Sequence, residues 1–417
     1  MHRQLINLAV RGLSQACRLL LLLTLARFLL PEELGMFGLV FAIVNYGLMI
    51  AGLDLYAFAN RKIVDASPEQ RRHILENQVT VYCVAYAVIL PTGCLLVLNG
   101  LLSWKLYAIS SLLLVAEHLS YEVYRVLNAI GRPLEAVLEF FIRAAAWVPP
   151  LLLIFILVPA LQTLETVFAL WLLGTSLSVV FGLFVLAGQG LRITRPGRDL
   201  QWIKTGLAIA LPYIIGTLAL RGMFTADRFL VEEIGGLALL GAYTFYVGIA
   251  VTMVGLLESA VFSFIYPRLV EKANRRDMVA FSQYYRSLAL QTLAGTGGLI
   301  AMIIWLAPYL MNISGHTIYA ENIGLLHMTL IAFGMFCLGM VPHYGLFALR
   351  ADKSIMFSHL FGILAFLLGA LFFSQNNKGV YAVPYAMITG FTVILIAKIA
   401  LFTHKYSAFK ATGPAHV

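Results

Sequence analysis

The amino-acid sequence predicts an all-α polytopic membrane protein with twelve transmembrane helices, arranged as two six-helix lobes related by a parallel repeat. Three observations support this prediction: the composition, the number of long apolar runs and a short internal repeat. Of the 417 residues, 61% are hydrophobic and only 12% are charged. A water-soluble domain of this size cannot cover so much apolar surface with so few charges, so the chain is predicted to reside in a membrane.

Twelve apolar runs are long enough for helices that cross a bilayer, which takes about 20 residues. In the first half they are approximately 5–30, 35–58, 78–98, 104–127, 136–158 and 167–186. In the second half they are approximately 202–224, 239–264, 288–311, 324–349, 357–373 and 381–402.

Arginine and lysine concentrate in the loops that follow the even-numbered runs. Arg61, Lys62 and Arg71 follow the second run, and Arg268 and Lys272 follow the eighth. Because basic loops stay on the cytoplasmic side, both chain termini are predicted to be cytoplasmic. These loops also account for the net charge of +9, so a nucleic-acid partner is not expected.

The longest polar segment lies near the middle of the chain and divides it into halves. We predict an N-terminal lobe over 1–188, a cytoplasmic linker over 189–201, and a C-terminal lobe with a short cytoplasmic tail over 202–417. The sequence ARFLLPEELG at 26–35 resembles DRFLVEEIGG at 227–236, with one additional residue at Pro31. Because six spans separate the copies, the repeat is predicted to be parallel, about an axis along the membrane normal.

The first run carries two arginines within its apolar sequence. Arg11 and Arg18 are seven residues apart and therefore share a helix face, on or beside which Asn7 and Gln15 also lie. Placing an arginine in lipid at mid-membrane depth costs about 2.5 kcal/mol or more in free energy. Such an arginine is therefore expected to face protein or a water-filled cavity. Two interpretations stay open: ion pairs with carboxylates of neighbouring helices, or a cationic stripe for an anionic substrate.

Other polar residues within the runs form further candidate faces. In the seventh run, Tyr213, Thr217 and Arg221 are spaced four apart, so Arg221 is a second-half counterpart of the first-run arginines. In the fourth run, Glu117, Tyr121 and Tyr124 belong to a face suited to sugar hydroxyls or a proton step. The neighbouring residues His118, Glu122 and Arg125 are predicted to form an internal ion-pair ladder.

Three more runs each contain a charged residue that is a candidate site residue. Arg143 is a cavity candidate, although Glu139 one turn earlier is expected to pair with it. Asp54 and Glu258 occupy matching places in the two halves and, with Glu117, are candidates for binding a coupling ion. The alternative for Asp54 and Glu258 is pairing with nearby arginines at the membrane surface.

Motifs of enzymes and ATP-driven pumps are missing from the sequence. It contains no phosphate-binding glycine loop with lysine, no nucleophile elbow and no metal-ligand spacing. We therefore predict no catalytic residue, no metal and no cofactor, and a function that is not enzymatic.

The second copy of the repeat carries a family resemblance. DRFLVEEIGGLALLGAYTFYVGIA at 227–250, followed by IYPRL at 265–269, resembles the second-lobe signature of bacterial polysaccharide flippases. ARFLLPEELGMFGLVFAIVNYG at 26–47 resembles their first-lobe region. These flippases belong to the multidrug/oligosaccharidyl-lipid/polysaccharide exporter (MOP) superfamily, and the resemblance extends over essentially the whole chain.

The resemblance implies two lobes forming a V around a central cavity that opens alternately to each side. It implies an undecaprenyl-pyrophosphate-linked oligosaccharide as substrate, an O-antigen or exopolysaccharide repeat unit of lipopolysaccharide-type pathways. This substrate would move from the inner to the outer leaflet of the bacterial inner membrane, coupled to a proton or sodium gradient. Membrane lipid and the polysaccharide polymerase machinery are the other partners implied.

A diphosphate substrate gives the predicted cationic residues a ligand, because guanidinium groups bind such oxygens bidentately. The predicted cationic cavity comprises Arg11, Arg18, Arg143 and Arg221. Two competing functions are a cation-coupled multidrug antiporter of the same superfamily and a membrane polysaccharide polymerase or ligase. The arginines disfavour the first, and the short predicted outer loops disfavour the second.

Overall fold

A computed structural model describes residues 2–193, 195–376 and 378–411, including all their side chains except those of residues 2–8, 11 and 411. These ranges are mostly helical and contain no strand. In the first half the α-helices are α1 His2–Phe28, α2 Pro31–Gly52, α3 Tyr56–Ile63, α4 Pro68–Leu98, α5 Trp104–Ala129, α6 Pro133–Phe141, α7 Val148–Leu157 and α8 Leu164–Gly188. They continue as α9 Leu200–Leu257, α10 Ser263–Asn274, α11 Met278–Ser314, α12 Thr317–Glu321, α13 Ile323–Ala348, α14 Asp352–Gln375 and α15 Ala382–Ala411.

The helices are long and apolar, which confirms the prediction of an all-α polytopic membrane protein. Within the described ranges, nine helical stretches have the length and composition to cross a membrane. One of them, Leu200–Asn274, is 75 residues long and contains two of the predicted spans. Gly236, with φ of 73°, interrupts α9 between those two spans, because glycine adopts this left-handed conformation at little cost.

Side-chain caps mark the first turns of several helices. At the start of α4, the Ser67 hydroxyl accepts a hydrogen bond from the Gln70 N–H, and the Gln70 side chain accepts one from the Ser67 N–H. This reciprocal capping satisfies two N–H groups that have no partner within the helix. Ser103, Thr163 and Asp277 cap α5, α8 and α11 in a similar way.

The chain divides into two compact units. The first unit contains residues 1–21 and 39–214, and the second contains residues 22–38 and 215–417. The end of α1 and the start of α2 thus belong to the second unit, and the first fifteen residues of α9 belong to the first.

Glycines allow the start of α2 to pack closely on α9 within the second unit. A Cβ added at Gly241 would lie 1.9 Å from the Pro31 carbonyl oxygen, and one at Gly35 would lie 2.2 Å from the Leu237 carbonyl oxygen. Both contacts are with backbone atoms, which cannot rotate away. Only glycine fits at these two positions.

The two copies of the sequence repeat differ in their relation to the helix ends. Glu32 and Glu33 lie in the first turn of α2, after the break between α1 and α2. Glu232 and Glu233 precede the break at Gly236 in α9. The aligned glutamates of the two copies therefore lie on opposite sides of the two breaks.

Three of the predicted site residues lie where helices are interrupted. Asp54 follows the end of α2 and, with Leu53, has left-handed φ values of 46° and 49°, which are uncommon outside glycine. Arg143 lies in a π-helical turn over Ile142–Ala146, and Glu258 begins another over Glu258–Phe262. Such irregularities are enriched at functional sites.

Candidate anion-binding site in the first unit

A buried ion pair joins α5 to the π-helical turn after α6. Arg143 Nη1 lies 3.0 Å from Glu117 Oε2, and the two residues are only 4% and 6% exposed. The other carboxylate oxygen of Glu117 accepts hydrogen bonds from Trp171 Nε1 at 2.7 Å and from Thr175 Oγ1 at 2.8 Å, both on α8. These donors stabilise the ionised carboxylate, so the charge of Arg143 is compensated where it is buried.

Aromatic rings surround the Arg143 guanidinium. Its Cζ lies 3.8 Å from the centroid of the Tyr121 ring and 5.5 Å from that of Phe140. A guanidinium over an aromatic face is attracted by the ring quadrupole. The carbonyl of Arg143 accepts a hydrogen bond from Trp147 Nε1 at 3.0 Å, which gives this carbonyl of the π-helical turn a side-chain partner.

Arg18 lies on the same aromatic group but has no carboxylate partner in the described part of the chain. Its Cζ is 5.7 Å from the centroid of Phe140, and its side chain is partly buried. Arg18 also interacts electrostatically with Tyr121. Two guanidinium groups therefore share the Phe140 ring, and of the two only Arg143 is paired with a carboxylate among the described residues.

Glu139 does not form the ion pair that its spacing from Arg143 predicts. It is fully buried, and its Oε1 accepts a hydrogen bond from the Ser120 hydroxyl, which lies 2.8 Å from the Ser178 hydroxyl. The π-helical turn begins between Glu139 and Arg143 and changes the helical spacing, and Arg143 forms its ion pair with Glu117 instead. The i,i+4 rule holds only for regular α-helix.

Both predicted tyrosines of α5, Tyr121 and Tyr124, belong to this aromatic group. Of the predicted residues of α1, Arg18 contacts it. Tyr124 is partly buried, with its ring centroid 6.1 Å from that of Phe140. Gln15 is partly buried on α1. The side chains of Asn7 and Arg11 lie outside the described residues.

The remaining predicted residues lie elsewhere. Tyr213, in the first unit, accepts a long hydrogen bond of 3.5 Å from Arg61 Nη2. Thr217 is partly buried and Arg221 is exposed, both in the second unit. Asp54 is buried in the first unit, and Glu258 is exposed in the second.

The predicted ladder on α5 is present in part, as a close ion pair between Arg125 and Glu122 with His118 at a longer distance. Arg125 Nη1 lies 2.5 Å from Glu122 Oε1, and His118 Nε2 lies 4.0 Å from the same oxygen. Glu122 also accepts a hydrogen bond of 2.7 Å from the Tyr82 hydroxyl, and His118 Nδ1 is 2.6 Å from the Tyr86 hydroxyl. This network joins α4 to α5.

Glu117 is expected to be essential to stability because it compensates a buried charge. Replacement by Gln should lower the free energy of unfolding by about 3–5 kcal/mol, since Arg143 then lacks its carboxylate partner. Denaturation of the purified protein, followed by circular dichroism, measures the change. The control is Glu135→Gln, which breaks a more exposed pair with Arg132 and should cost no more than about 1 kcal/mol. Equal losses in the two variants would contradict the assigned role.

Comparison with solved structures identifies the fold. An inward-facing multidrug resistance transporter of the MATE family, in the MOP superfamily, is similar with a TM-score of 0.77 and 15% identity, covering 98% of this chain and 99% of that chain. A MOP superfamily transporter from Pyrococcus furiosus, in which reverse polarity of the binding pocket suggests a different function, has a TM-score of 0.68 and 15% identity, covering 98% of this chain and 94% of that chain. The protein therefore has the two-lobe fold of MOP superfamily transporters.

A comparison with protein families identifies the family of this chain. The family described as polysaccharide biosynthesis protein matches residues 4–273, and this chain belongs to it. This confirms the resemblance seen in the sequence. Among curated proteins no match is found.

Proposed function

We propose that this protein is a flippase for an undecaprenyl-diphosphate-linked oligosaccharide. It moves an O-antigen or exopolysaccharide repeat unit from the inner to the outer leaflet of the bacterial inner membrane by alternating access, with both chain termini in the cytoplasm. The family of polysaccharide biosynthesis proteins and the MOP fold support this proposal. The observation that carries it is the Arg18 guanidinium, which is partly buried beside Phe140 without a carboxylate partner among the described residues.

The chemistry of the site suits an anion better than a cation. A guanidinium presents paired N–H donors that match two phosphate oxygens. A cationic drug would instead be repelled by Arg18. Tyr121 and Tyr124 supply hydroxyl groups for a sugar, and Arg11 and Arg221 remain in the proposed cationic set.

The glycine contact between α2 and α9 involves the two sequence regions that resemble the polysaccharide flippases, 26–47 and 227–250. The motif regions around Gly35 and Gly241 pack backbone to backbone within the second unit. Asp54 and Glu258 are the proposed positions for ion coupling near helix interruptions. Glu117 suits that role less, because its carboxylate already has three donors.

Reconstituted vesicles separate the candidate functions. The purified chain is expected to move a fluorescent undecaprenyl-diphosphate-linked oligosaccharide between leaflets, whereas protein-free vesicles do not. The same vesicles should not accelerate ethidium efflux, which tests multidrug antiport, and should not lengthen the glycan, which tests polymerase activity. Ethidium export without movement of the lipid-linked probe would overturn the proposal.

A further inference from the structure

Three basic side chains, two of them buried and one partly buried, form a cluster in the second unit. His343 lies on α13, His359 on α14 and Lys398 on α15. Lys398 is only 2% exposed and His359 only 4%. The two imidazole rings are stacked, with centroids 6.1 Å apart and an interplanar angle of 8°, and each interacts electrostatically with Lys398.

The hydrogen bond of His359 defines which of its nitrogens is free. Its Nδ1 lies 3.0 Å from the Gly216 carbonyl oxygen on α9. A carbonyl only accepts, so Nδ1 carries the hydrogen and Nε2 of the neutral ring is an acceptor. That Nε2 is buried without a hydrogen-bond partner among the described residues, as is Nδ1 of His343.

We next consider which charged and titratable groups of the described residues surround the cluster. Within the described ranges, no carboxylate forms an ion pair or hydrogen bond with any of the three. Tyr344, next to His343, interacts electrostatically with Glu258. On α11, Tyr285 stacks on Phe402, one turn beyond Lys398, with centroids 4.3 Å apart. From α9 the cluster receives the Gly216 carbonyl.

A buried cluster of this kind favours a single positive charge. Charging more than one of three neighbouring basic groups away from water is opposed by both burial and mutual repulsion. A neutral imidazole with a vacant acceptor nitrogen can nonetheless receive a proton. Sodium, in contrast, requires oxygen ligands, and the three side chains of the cluster offer only nitrogen.

We propose that His343, His359 and Lys398 form a proton-binding site in the second unit, which takes up and releases one proton in each transport cycle. This inference deepens the proposed function, on which it rests, by naming the proton as the coupling ion and by locating its site. Polar groups buried in membrane helices are commonly proton relays. Lys398 and His359 are new candidates beside the carboxylates Asp54 and Glu258.

The first measurement reads protonation without any transport substrate. The full chain with ¹⁵N-labelled histidine is placed in nanodiscs, and ring ¹⁵N signals are followed between about pH 5 and pH 8, where imidazoles change charge. Signals that disappear in His343→Gln or His359→Gln are expected to respond to pH and to change in Lys398→Gln. The controls His404→Gln and Lys405→Gln, both exposed on α15, should leave those signals unchanged. Signals that stay neutral throughout, with no response to Lys398→Gln, would overturn the site.

The second measurement tests coupling with the undecaprenyl-diphosphate-linked oligosaccharide in proteoliposomes. A pH gradient at equal sodium should accelerate flipping about tenfold, and the ratio of rates with and without the gradient should fall to about one in Lys398→Gln and His359→Gln. Lys405→Gln should retain the full ratio. Acceleration by a sodium or chloride gradient alone, or an unchanged ratio in the variants, would overturn proton coupling here. If the pH-dependent signals are present but the wild type does not move the probe, the proton site stands and the flippase proposal fails.

Discussion

Arg18→Ala is expected to lower the rate of lipid-linked oligosaccharide flipping by about tenfold or more. Hydrogen bonds to a charged group contribute about 1.5–3 kcal/mol, and about 1.4 kcal/mol corresponds to a factor of ten. Arg18 has no carboxylate to compensate it in the described structure, so its removal should affect the substrate more than the fold. Flipping in proteoliposomes and surface polysaccharide in cells lacking the native gene both measure the loss.

A second variant of Arg18 separates the effect of its charge from that of its planar guanidinium group, and an exposed arginine provides the control. Arg18→Lys keeps the charge but lacks the planar pair of donors, so an intermediate rate is expected. Arg192→Ala removes an exposed arginine between α8 and α9 and should leave the rate unchanged. Normal surface polysaccharide with Arg18→Ala would show that Arg18 does not bind the diphosphate.

Gly241→Ala is expected to lower the free energy of unfolding by about 1–3 kcal/mol, the usual cost of forcing extra volume into a packed contact. The added methyl would lie 1.9 Å from the Pro31 carbonyl oxygen, so α2 and α9 must move apart. The control is Gly297→Ala, in α11 of the same unit, where an added Cβ meets nothing within 4 Å. Chemical denaturation of the purified protein measures both.

The double variant Gly35→Ala/Gly241→Ala tests whether the two glycines act on one contact. Each single change should separate the same pair of segments, so the combined loss should be smaller than the sum of the single losses. Strictly additive losses, or a loss in Gly297→Ala equal to that in Gly241→Ala, would show that close backbone packing is not what these glycines provide.

Helices, membrane location and family were predictable because they depend on composition and on local patterns. The ladder of His118, Glu122 and Arg125 was predictable for the same reason, since its members are within two turns of one helix. Arg18, Tyr121 and Arg143 were selected because charged and polar groups are unusual in apolar runs. The structure places Arg18 and Arg143 beside the Phe140 ring, and Tyr121 beside Arg143.

Contacts between distant segments were not predictable. The pairing of Arg143 with Glu117 depends on a π-helical turn, which has no sequence signature as clear as that of a cap. Phe140 was missed because a phenylalanine in an apolar run carries no signal of its role. Lys398 was missed although a lysine within the last apolar run meets the criterion that selected Arg18.

The assignment of residues 22–38 to the second unit, and of the start of α9 to the first, means that the halves of the chain exchange segments. Neither half of the sequence, expressed alone, contains all of one compact unit. The backbone passes between the units at three places, after residues 21, 38 and 214. Cleavage within 189–201 falls inside the first unit and would therefore leave all three connections intact, and each half of the chain would still supply a segment that the other half needs to complete its unit.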